Sequence, residues 1–345
     1  MAATDRGFVL LAASVAVLFV FSLTFAVLAL LLRLRNDRVE RREQRLTDRW
    51  EPVMLEVLAG AAPDAALTGM VEPRDTRVFL GFLIGYARRL RGEEHTTVRR
   101  LAAPLLPQLA RSLRRGSAEK RGLAVYRLAE VGLPEYADDV ALALDDPSSG
   151  VALIAAKGLF REGLERHFPA VLAEIPRFAH LSRSFLSSLL AQGGAGAAPL
   201  LREIFSDPFR ATKVRAIVAD ALTLLNDLDS VPIAIEYLER SRDRELVTAC
   251  LRLLRQLGHH EQLGSIRPLA RSDDAIVRAA AAGALGALGG RAEVPILQEV
   301  LDDEHYWVSL QAARGLMALG DVDTLRRLAT SSGAWALLAR QVLSE

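Results

Sequence analysis

Apolar residues recur at helical spacing along most of the chain, in units of about 31 residues that contain two helices each. In one such unit, Pro295 opens a first helix, and Asp303 precedes a second. Because each helix carries a single apolar stripe, a unit can bury it only against its neighbours, which predicts an all-α solenoid. The residues that end the second helices are spaced 31, 30, 33, 32, 31 and 31 positions apart: Gly132, Gly163, Gly193, Asn226, Gly258, Gly289 and Gly320. Since glycine and asparagine accept left-handed backbone most readily, we expect that conformation at these positions.

A different pattern occupies the start of the chain, where residues 8–32 carry no charge. A helix of this length rises about 37 Å, and the hydrocarbon core of a bilayer is about 30 Å thick. We therefore predict an N-terminal transmembrane anchor in residues 1–32. The alternative, a cleaved signal peptide, has a shorter apolar region after a basic start.

The arginines that flank this segment predict its orientation. Residues 33–49 contain seven arginines, whereas one arginine precedes the apolar stretch. Because basic flanks resist translocation, we expect a short N-terminus outside and the C-terminal domain in the cytoplasm. The abundance of Arg, Ala and Leu is typical of a GC-rich bacterial genome, so the predicted location is the bacterial inner membrane, crossed once.

The remaining chain divides into three predicted parts. Residues 33–49 mix both charge signs without Gly or Pro and predict a charged juxtamembrane stalk helix. Residues 50–94 are helical but irregular, which indicates N-terminal capping helices; a docking patch for another membrane protein is the alternative. Residues 95–345 hold the repeat array of about eight units.

The segment SDDAIVRAAAAGALG, residues 272–286, resembles HEAT and HEAT-like (PBS-lyase-like) repeats, in which an inter-helix Asp precedes Val-Arg and an Ala-rich second helix. The resemblance implies ladders of Asp and Arg between units. Thr248 and Ser309 stand at two matching arginine positions, so a continuous ladder is not expected. The positions that fit the ladder are Asp207 with Arg215, and Asp273 or Asp274 with Arg278.

The whole layout, including the segment DRWEP at residues 48–52, also resembles bacterial membrane-anchored HEAT-repeat proteins. This resemblance implies an association with a family-2 glycosyltransferase, because members are often encoded beside one. One alternative function is therefore an accessory or regulatory subunit of such an enzyme in exopolysaccharide synthesis.

Charge is unevenly distributed, although the net charge is only +1. Residues 88–127 hold 11 Lys and Arg against three acidic residues, whereas residues 128–345 hold 22 against 29. An acidic distal array argues against nucleic acid as a partner. Basic side chains are attracted to an anionic leaflet or an acidic protein, and simple solvation of helix faces is the alternative. The candidate contact residues are Arg88, Arg89, Arg91, Arg111, Arg114 and Arg115.

The sequence contains no recognisable catalytic constellation. His260-Glu261 is similar to one of the His-Glu pairs of HEAT-repeat di-iron hydroxylases, but that family needs several. The glycine-rich run at residues 193–196 lacks the flanking strand and Lys of a phosphate loop, and Cys250 lies in an apolar pattern. We expect no metal, no cofactor and no small-molecule substrate, although an enzyme of the bilin-lyase or hydroxylase type stays as a third alternative.

These observations favour a non-enzymatic, membrane-anchored scaffold for protein–protein interaction. Its partner is expected to be a membrane-associated protein. Tyr306 and Trp307 are candidate partner contacts because large rigid side chains often dominate interfaces, and core packing is the competing role.

Overall fold

The structure, a computed structural model, describes the backbone of residues 2–331, 333 and 335–345. Side chains are described for residues 21–31, 33, 37–38, 40–331, 333 and 335–345. Within these residues the chain is all-helical and contains no strand, which confirms the predicted fold class. The α-helices are α1 (Ala2–Leu58), α2 (Asp64–Thr68), α3 (Thr76–Ala87), α4 (Gly92–Ala102), α5 (Leu106–Ser112), α6 (Ala118–Val131), α7 (Ala137–Ala141), α8 (Ser149–Arg161), α9 (Phe168–Ala173), α10 (Arg183–Ala191), α11 (Gly194–Ser206), α12 (Thr212–Leu224), α13 (Val231–Arg240), α14 (Arg244–Leu257), α15 (Leu263–Ile266), α16 (Ala275–Leu288), α17 (Val294–Leu301), α18 (Tyr306–Ala318), α19 (Val322–Thr330) and α20 (Ala336–Ser344).

The chain forms two compact units, Met1–Gln108 and Leu109–Glu345. The first unit starts with α1, which covers the predicted stalk and continues through Pro52. Of the predicted membrane span, residues 8–20 and Leu32 lie outside the described side chains. Within the described part of the chain, no helix combines the length and the apolar character needed to cross a membrane.

The end of α1 packs against α3 through an aromatic cluster. The ring of Trp50 is fully buried and meets Phe79 edge-on, with 5.2 Å between ring centroids, and Phe82 at 5.7 Å. Arg42 on α1 also binds the buried carboxylate of Asp75 at 2.6 Å. These contacts fold α1 onto the irregular region that the sequence assigned to capping helices. The first unit extends to Gln108, whereas the cap was expected to end at residue 94.

The second unit is a repeat of helical pairs, seven of which, from α7 to α20, lie within its described residues. The first helices are short, and several begin or end in a 3-10 turn; the second helices are α6 and then every even-numbered helix. Each second helix contacts the next one along the array. The core therefore runs along the stack, and no pair buries its apolar residues alone.

The residues that end the second helices do not all adopt the expected left-handed backbone. Gly163, Asn226 and Gly320 do, with φ of +64°, +54° and +82°. Gly258 and Gly289 instead have negative φ, and a Cβ there would lie only 2.6 and 2.5 Å from the carbonyl oxygens of the preceding turn. The expectation is also wrong at the two remaining glycines: Gly132 has negative φ, and Gly194 takes the left-handed position in place of Gly193.

Helices α16 and α18 approach each other closely. A Cβ added to Gly286 would lie 2.3 Å from the Cα of Gly315, so the two backbones meet without a side chain between them. Alanines at Ala281 and Ala282 flank this contact and are fully buried. Small residues in α16 therefore permit the close approach, which offsets the weak helix propensity of the glycines among them.

Candidate functional site

The second helices α10, α12 and α14 present a common face to solvent. Polar side chains occupy positions i, i+3 and i+4 of α10 and α14, starting at Ser184 and Arg252, and positions i and i+3 of α12, starting at Asp220, where Leu224 takes the i+4 position. Residues with this spacing share one side of a helix, while the apolar residues between them face the core. The three sets line an open groove of about 870 Å³.

A single carboxylate joins the three helices across this groove. Asp220 on α12 forms an ion pair with Arg183 on α10, with 2.9 Å between Oδ2 and Nε. Its Oδ1 also accepts bonds from Nη2 and Nε of Arg252 on α14, at 2.9 and 3.1 Å. All three side chains remain partly exposed, with 17 % exposure for Asp220. The arrangement fixes two guanidinium groups side by side and neutralises only one of their charges.

A third arginine extends the groove toward α16. Arg255 is exposed, and its Nη1 would lie 3.1 Å from a Cβ on Gly283. Among the described residues it forms no ion pair. The groove thus carries three arginines against one aspartate, a formal charge of +2, with the half-exposed Leu224 at its apolar part.

Two further arginines each join a second helix to the turn between the two helices of the next unit. Arg121 on α6 binds Asp146 at 2.7 and 2.8 Å, and this hydrogen bonding lowers the pKa of Asp146 although burial opposes the shift. Arg278 on α16 binds Asp303 at 2.6 and 3.0 Å. Burial alone would raise the pKa of Asp303, but the bonds from Arg278 and from the His305 amide outweigh it and lower the pKa.

The predicted ladder residues have different partners. Asp207 accepts a bond from the amide of Phe209 at 2.9 Å and pairs with Arg210, so its own turn uses the carboxylate. Arg215 is buried with its guanidinium 4.9 Å from the ring centroid of Tyr237. The structure therefore corrects the proposed pairing of Asp207 with Arg215.

The second predicted ladder pairing is also corrected. Arg278 donates to the carbonyl oxygens of Ser272 and Asp273, but its carboxylate partner is Asp303, which lies in the following unit. Asp274 caps α16 instead, because its Oδ1 accepts the amide of Ile276 at 2.8 Å. Oδ2 of Asp274 also lies 3.8 Å from Nη1 of Arg244 in the preceding unit, so Asp274 and Asp303 both join neighbouring units.

The predicted contact arginines of the first unit lie at the end of α3 and in the turn after it. Arg88, Arg89 and Arg91 are all exposed. The guanidinium of Arg89 lies 5.0 Å from the ring centroid of Tyr86, and Arg91 donates to the carbonyl oxygen of Leu90 at 2.8 Å. Their stems are therefore held by local contacts, and their charge remains at the surface.

The predicted contact arginines of the second unit lie around the end of α5. Arg111, Arg114 and Arg115 are exposed. Arg114 lines a shallow groove of about 350 Å³ together with Arg121 and Asp146.

The aromatic pair at the start of α18 is accessible. Trp307 is 68 % exposed and Tyr306 is 40 % exposed, which excludes full burial of either ring in the core. Tyr306 donates to Oε1 of Gln341 at 3.0 Å and meets Trp307 edge-on. These rings remain available for contact with another molecule.

The residues considered for catalysis do not line the groove. Cys250 is buried on α14, and burial raises the pKa of its thiol to about 12, which disfavours the reactive thiolate. Among the described residues, no group of three or more His, Cys, Asp or Glu side chains is placed to hold a metal ion. His260 lies in a short 3-10 turn before α15.

The groove residues Arg183, Asp220, Arg252 and Arg255 were not singled out from the sequence. Polar residues three or four positions apart on consecutive second helices are a signal that could have found them. The signal was weak because charged positions on solvent-facing helices are common.

Sequence comparison assigns the repeats. The family model described as HEAT repeats matches residues 197–286 and 265–343, which contain α12, α14, α16 and α18. Residues 197–343 are therefore similar to HEAT repeats. A stack of HEAT repeats is a scaffold suited to protein–protein interaction, because binding can be spread over many units. No curated protein matches the chain in sequence.

Solved structures similar to the chain include a karyopherin, a designed repeat protein and a hydroxylase. The karyopherin Kap121p, bound to the extreme C-terminus of the protein phosphatase Cdc14p, is 12% identical with a TM-score of 0.41; the match covers 79% of this chain and 41% of the karyopherin. A designed armadillo repeat protein is 16% identical with a TM-score of 0.32, covering 62% of this chain and all of that protein. Human deoxyhypusine hydroxylase is 16% identical with a TM-score of 0.32, covering 81% and 98%.

Proposed function

We propose that the protein is a membrane-anchored, non-enzymatic scaffold that presents its HEAT repeats to a protein partner. The observation that carries this proposal is the continuous face formed by the stacked second helices, with its polar groove across α10, α12 and α14. A face built from many units offers distributed contacts rather than one reaction centre. Confinement to a membrane would raise its effective concentration for a partner in the same membrane.

The anchor is proposed from α1. Residues 8–32 carry no charge, and the described large side chains of this segment point to solvent, with Phe21 72 % and Phe25 67 % exposed. Such exposure is costly in water and favourable in lipid. The seven arginines of residues 33–49 favour a cytoplasmic location for the repeats, on the inner side of a bacterial inner membrane.

The exposed arginines are proposed as a secondary contact with the anionic leaflet or with an acidic partner. Each basic side chain near an anionic surface contributes about 1 kcal/mol, and the effect fades over a Debye length of about 8 Å. The full chain is inserted in vesicles of varied anionic lipid content, and the vesicles are isolated by flotation. The protection of these arginines from chemical modification is then measured. Protection that is independent of anionic lipid contradicts the leaflet contact.

Affinity purification from native membranes tests the scaffold. The full chain and a variant that lacks residues 1–32 carry the same tag and are cross-linked before purification. We expect the full chain to resist carbonate extraction and to recover a stoichiometric membrane protein, whereas the truncated variant is extracted and loses most of this partner. Failure of the full chain to recover any stoichiometric partner contradicts the scaffold. Activity of a C-terminal alkaline-phosphatase fusion in cells contradicts the orientation.

A more specific proposal is that the partner is a family-2 glycosyltransferase. This proposal rests only on the resemblance of the layout to membrane-anchored HEAT-repeat proteins. Identification of the co-purified protein by mass spectrometry decides it. A partner without a glycosyltransferase domain removes this proposal and leaves the scaffold intact.

A further inference from the structure

We propose that the groove across α10, α12 and α14 binds an extended acidic peptide segment of the partner. This inference rests on the proposed scaffold function and specifies the chemistry that one part of its surface recognises. The juxtaposition that carries it is the alignment of Arg183, Arg252 and Arg255 in one groove with a single carboxylate, Asp220, among them.

The two paired arginines are positioned to bind a second acceptor. Arg183 forms an ion pair with Asp220, and Arg252 donates hydrogen bonds to it through Nε and Nη2. A guanidinium carries five N–H donors, so each group retains donors after these bonds are made. Because Asp220 already orders both arginine side chains, binding of a carboxylate costs less side-chain conformational entropy here than at mobile surface arginines.

The third arginine supplies charge that nothing in the described residues neutralises. Arg255 lies one turn after Arg252 on the same helix and reaches toward Gly283 on α16. A carboxylate that approaches α14 therefore meets two guanidinium groups, of which only that of Arg252 is already paired with a carboxylate of the protein. Planar, paired hydrogen bonding between guanidinium and carboxylate favours this class of ligand over a neutral one.

The surrounding charge makes the groove selective. Residues 128–345 carry 22 basic and 29 acidic residues, so most of this array repels an acidic chain. The groove is a local exception, with a formal charge of +2. Because screening limits such interactions to a distance of about 8 Å at physiological salt, the local charge decides binding.

The dimensions fit a short extended segment. Packed helices lie about 10 Å apart, so three of them span about 20 Å. An extended chain rises about 3.3 Å per residue, which gives about six residues across the groove. The half-exposed Leu224 offers an apolar contact between the charged positions, and the exposed hydroxyl groups of Ser184 and Ser188 can bind peptide backbone.

Fluorescence anisotropy with the full chain in mild detergent tests the assignment. The probe is a labelled peptide of about eight residues that alternates Glu with Leu and Ser, and its counterpart has Gln in place of Glu. We expect the Glu peptide to bind and the Gln peptide to bind at least about tenfold more weakly. We also expect added salt to weaken the Glu peptide's binding.

Matched variants separate the groove from the overall charge of the protein. Arg255→Gln is expected to weaken binding about fivefold, and R252Q/R255Q to abolish measurable binding. Arg340→Gln and R291Q/R340Q make the same charge changes at exposed positions outside the three helices, and they should bind like the wild type. Unchanged circular dichroism verifies that each variant is folded.

Three outcomes would overturn the inference: equal binding of the Gln peptide, equal losses in the control variants, or tighter binding of a single-stranded oligonucleotide to the same groove. The scaffold function is judged separately. If R252Q/R255Q still recovers the native partner from membranes while the peptide assay fails, the groove assignment is wrong and the scaffold stands. If the wild type recovers no partner, the scaffold itself fails.

Discussion

The contact between Gly286 and Gly315 makes the stability of the array sensitive to one methyl group. In Gly286→Ala, the new Cβ would lie 2.3 Å from the Cα of Gly315, whereas ordinary contacts begin near 3.4 Å. Helices α16 and α18 must therefore separate by about 1 Å. Overpacking of this kind costs about 1–3 kcal/mol, and the better helix propensity of alanine returns at most about 1 kcal/mol. We expect a net loss of about 1–2 kcal/mol.

Two other glycines provide a graded control. In Gly315→Ala the Cβ would approach the flexible tip of Leu297 at 2.9 Å, so a smaller loss is expected. In Gly264→Ala nothing lies within 4 Å, and the variant should match or slightly exceed the wild type. Urea denaturation followed by far-UV circular dichroism measures the three midpoints. A Gly286→Ala protein that is at least as stable as Gly264→Ala would refute the close backbone contact.

Three further predictions concern buried or paired groups. Arg278→Gln removes the two bonds that Arg278 donates to the carboxylate of Asp303, and it should lower the free energy of unfolding, measured by urea denaturation, by about 1–3 kcal/mol. The double variant R278Q/D303N should recover part of this loss. A single variant as stable as the wild type contradicts the pairing. Because the hydrogen bond from Arg121 lowers the pKa of Asp146 below 3.8, this residue stabilises the fold above about pH 4, and the contribution is lost as the pH falls. The wild type should therefore lose its advantage over Asp146→Asn progressively as the pH falls below about 5, and parallel curves would argue against the pair. Burial of Cys250, with its pKa raised to about 12, predicts that iodoacetamide labels the native protein far more slowly than the urea-unfolded protein at about pH 8.

The repeat architecture was readable from the sequence because its signal is periodic. Each unit places a helix breaker and an apolar stripe at nearly the same position, so errors at single residues do not obscure the period. The backbone of the breakers was predictable only in part. Gly163 and Gly320 require positive φ, whereas Gly258 and Gly289 are small because the preceding turn leaves no room for a Cβ.

The groove and the arginine pairs were harder to predict, because they depend on the register between units. Arg278 could pair with a nearby aspartate in its own unit or with Asp303, 25 residues later, and sequence spacing alone does not choose between them. Similarly, Arg183 and Arg252 are 69 positions apart and meet through Asp220 only because three helices stack in order.

An array of stacked helices also acts as an elastic element, and its compliance depends on how closely successive helices approach. Where Gly286 meets Gly315, backbone touches backbone, and no side chain can rotate to take up a displacement. Tension applied along the array would stretch the looser junctions first and reach this one last. The junction of α16 with α18 would then extend less under tension than the other junctions of the array.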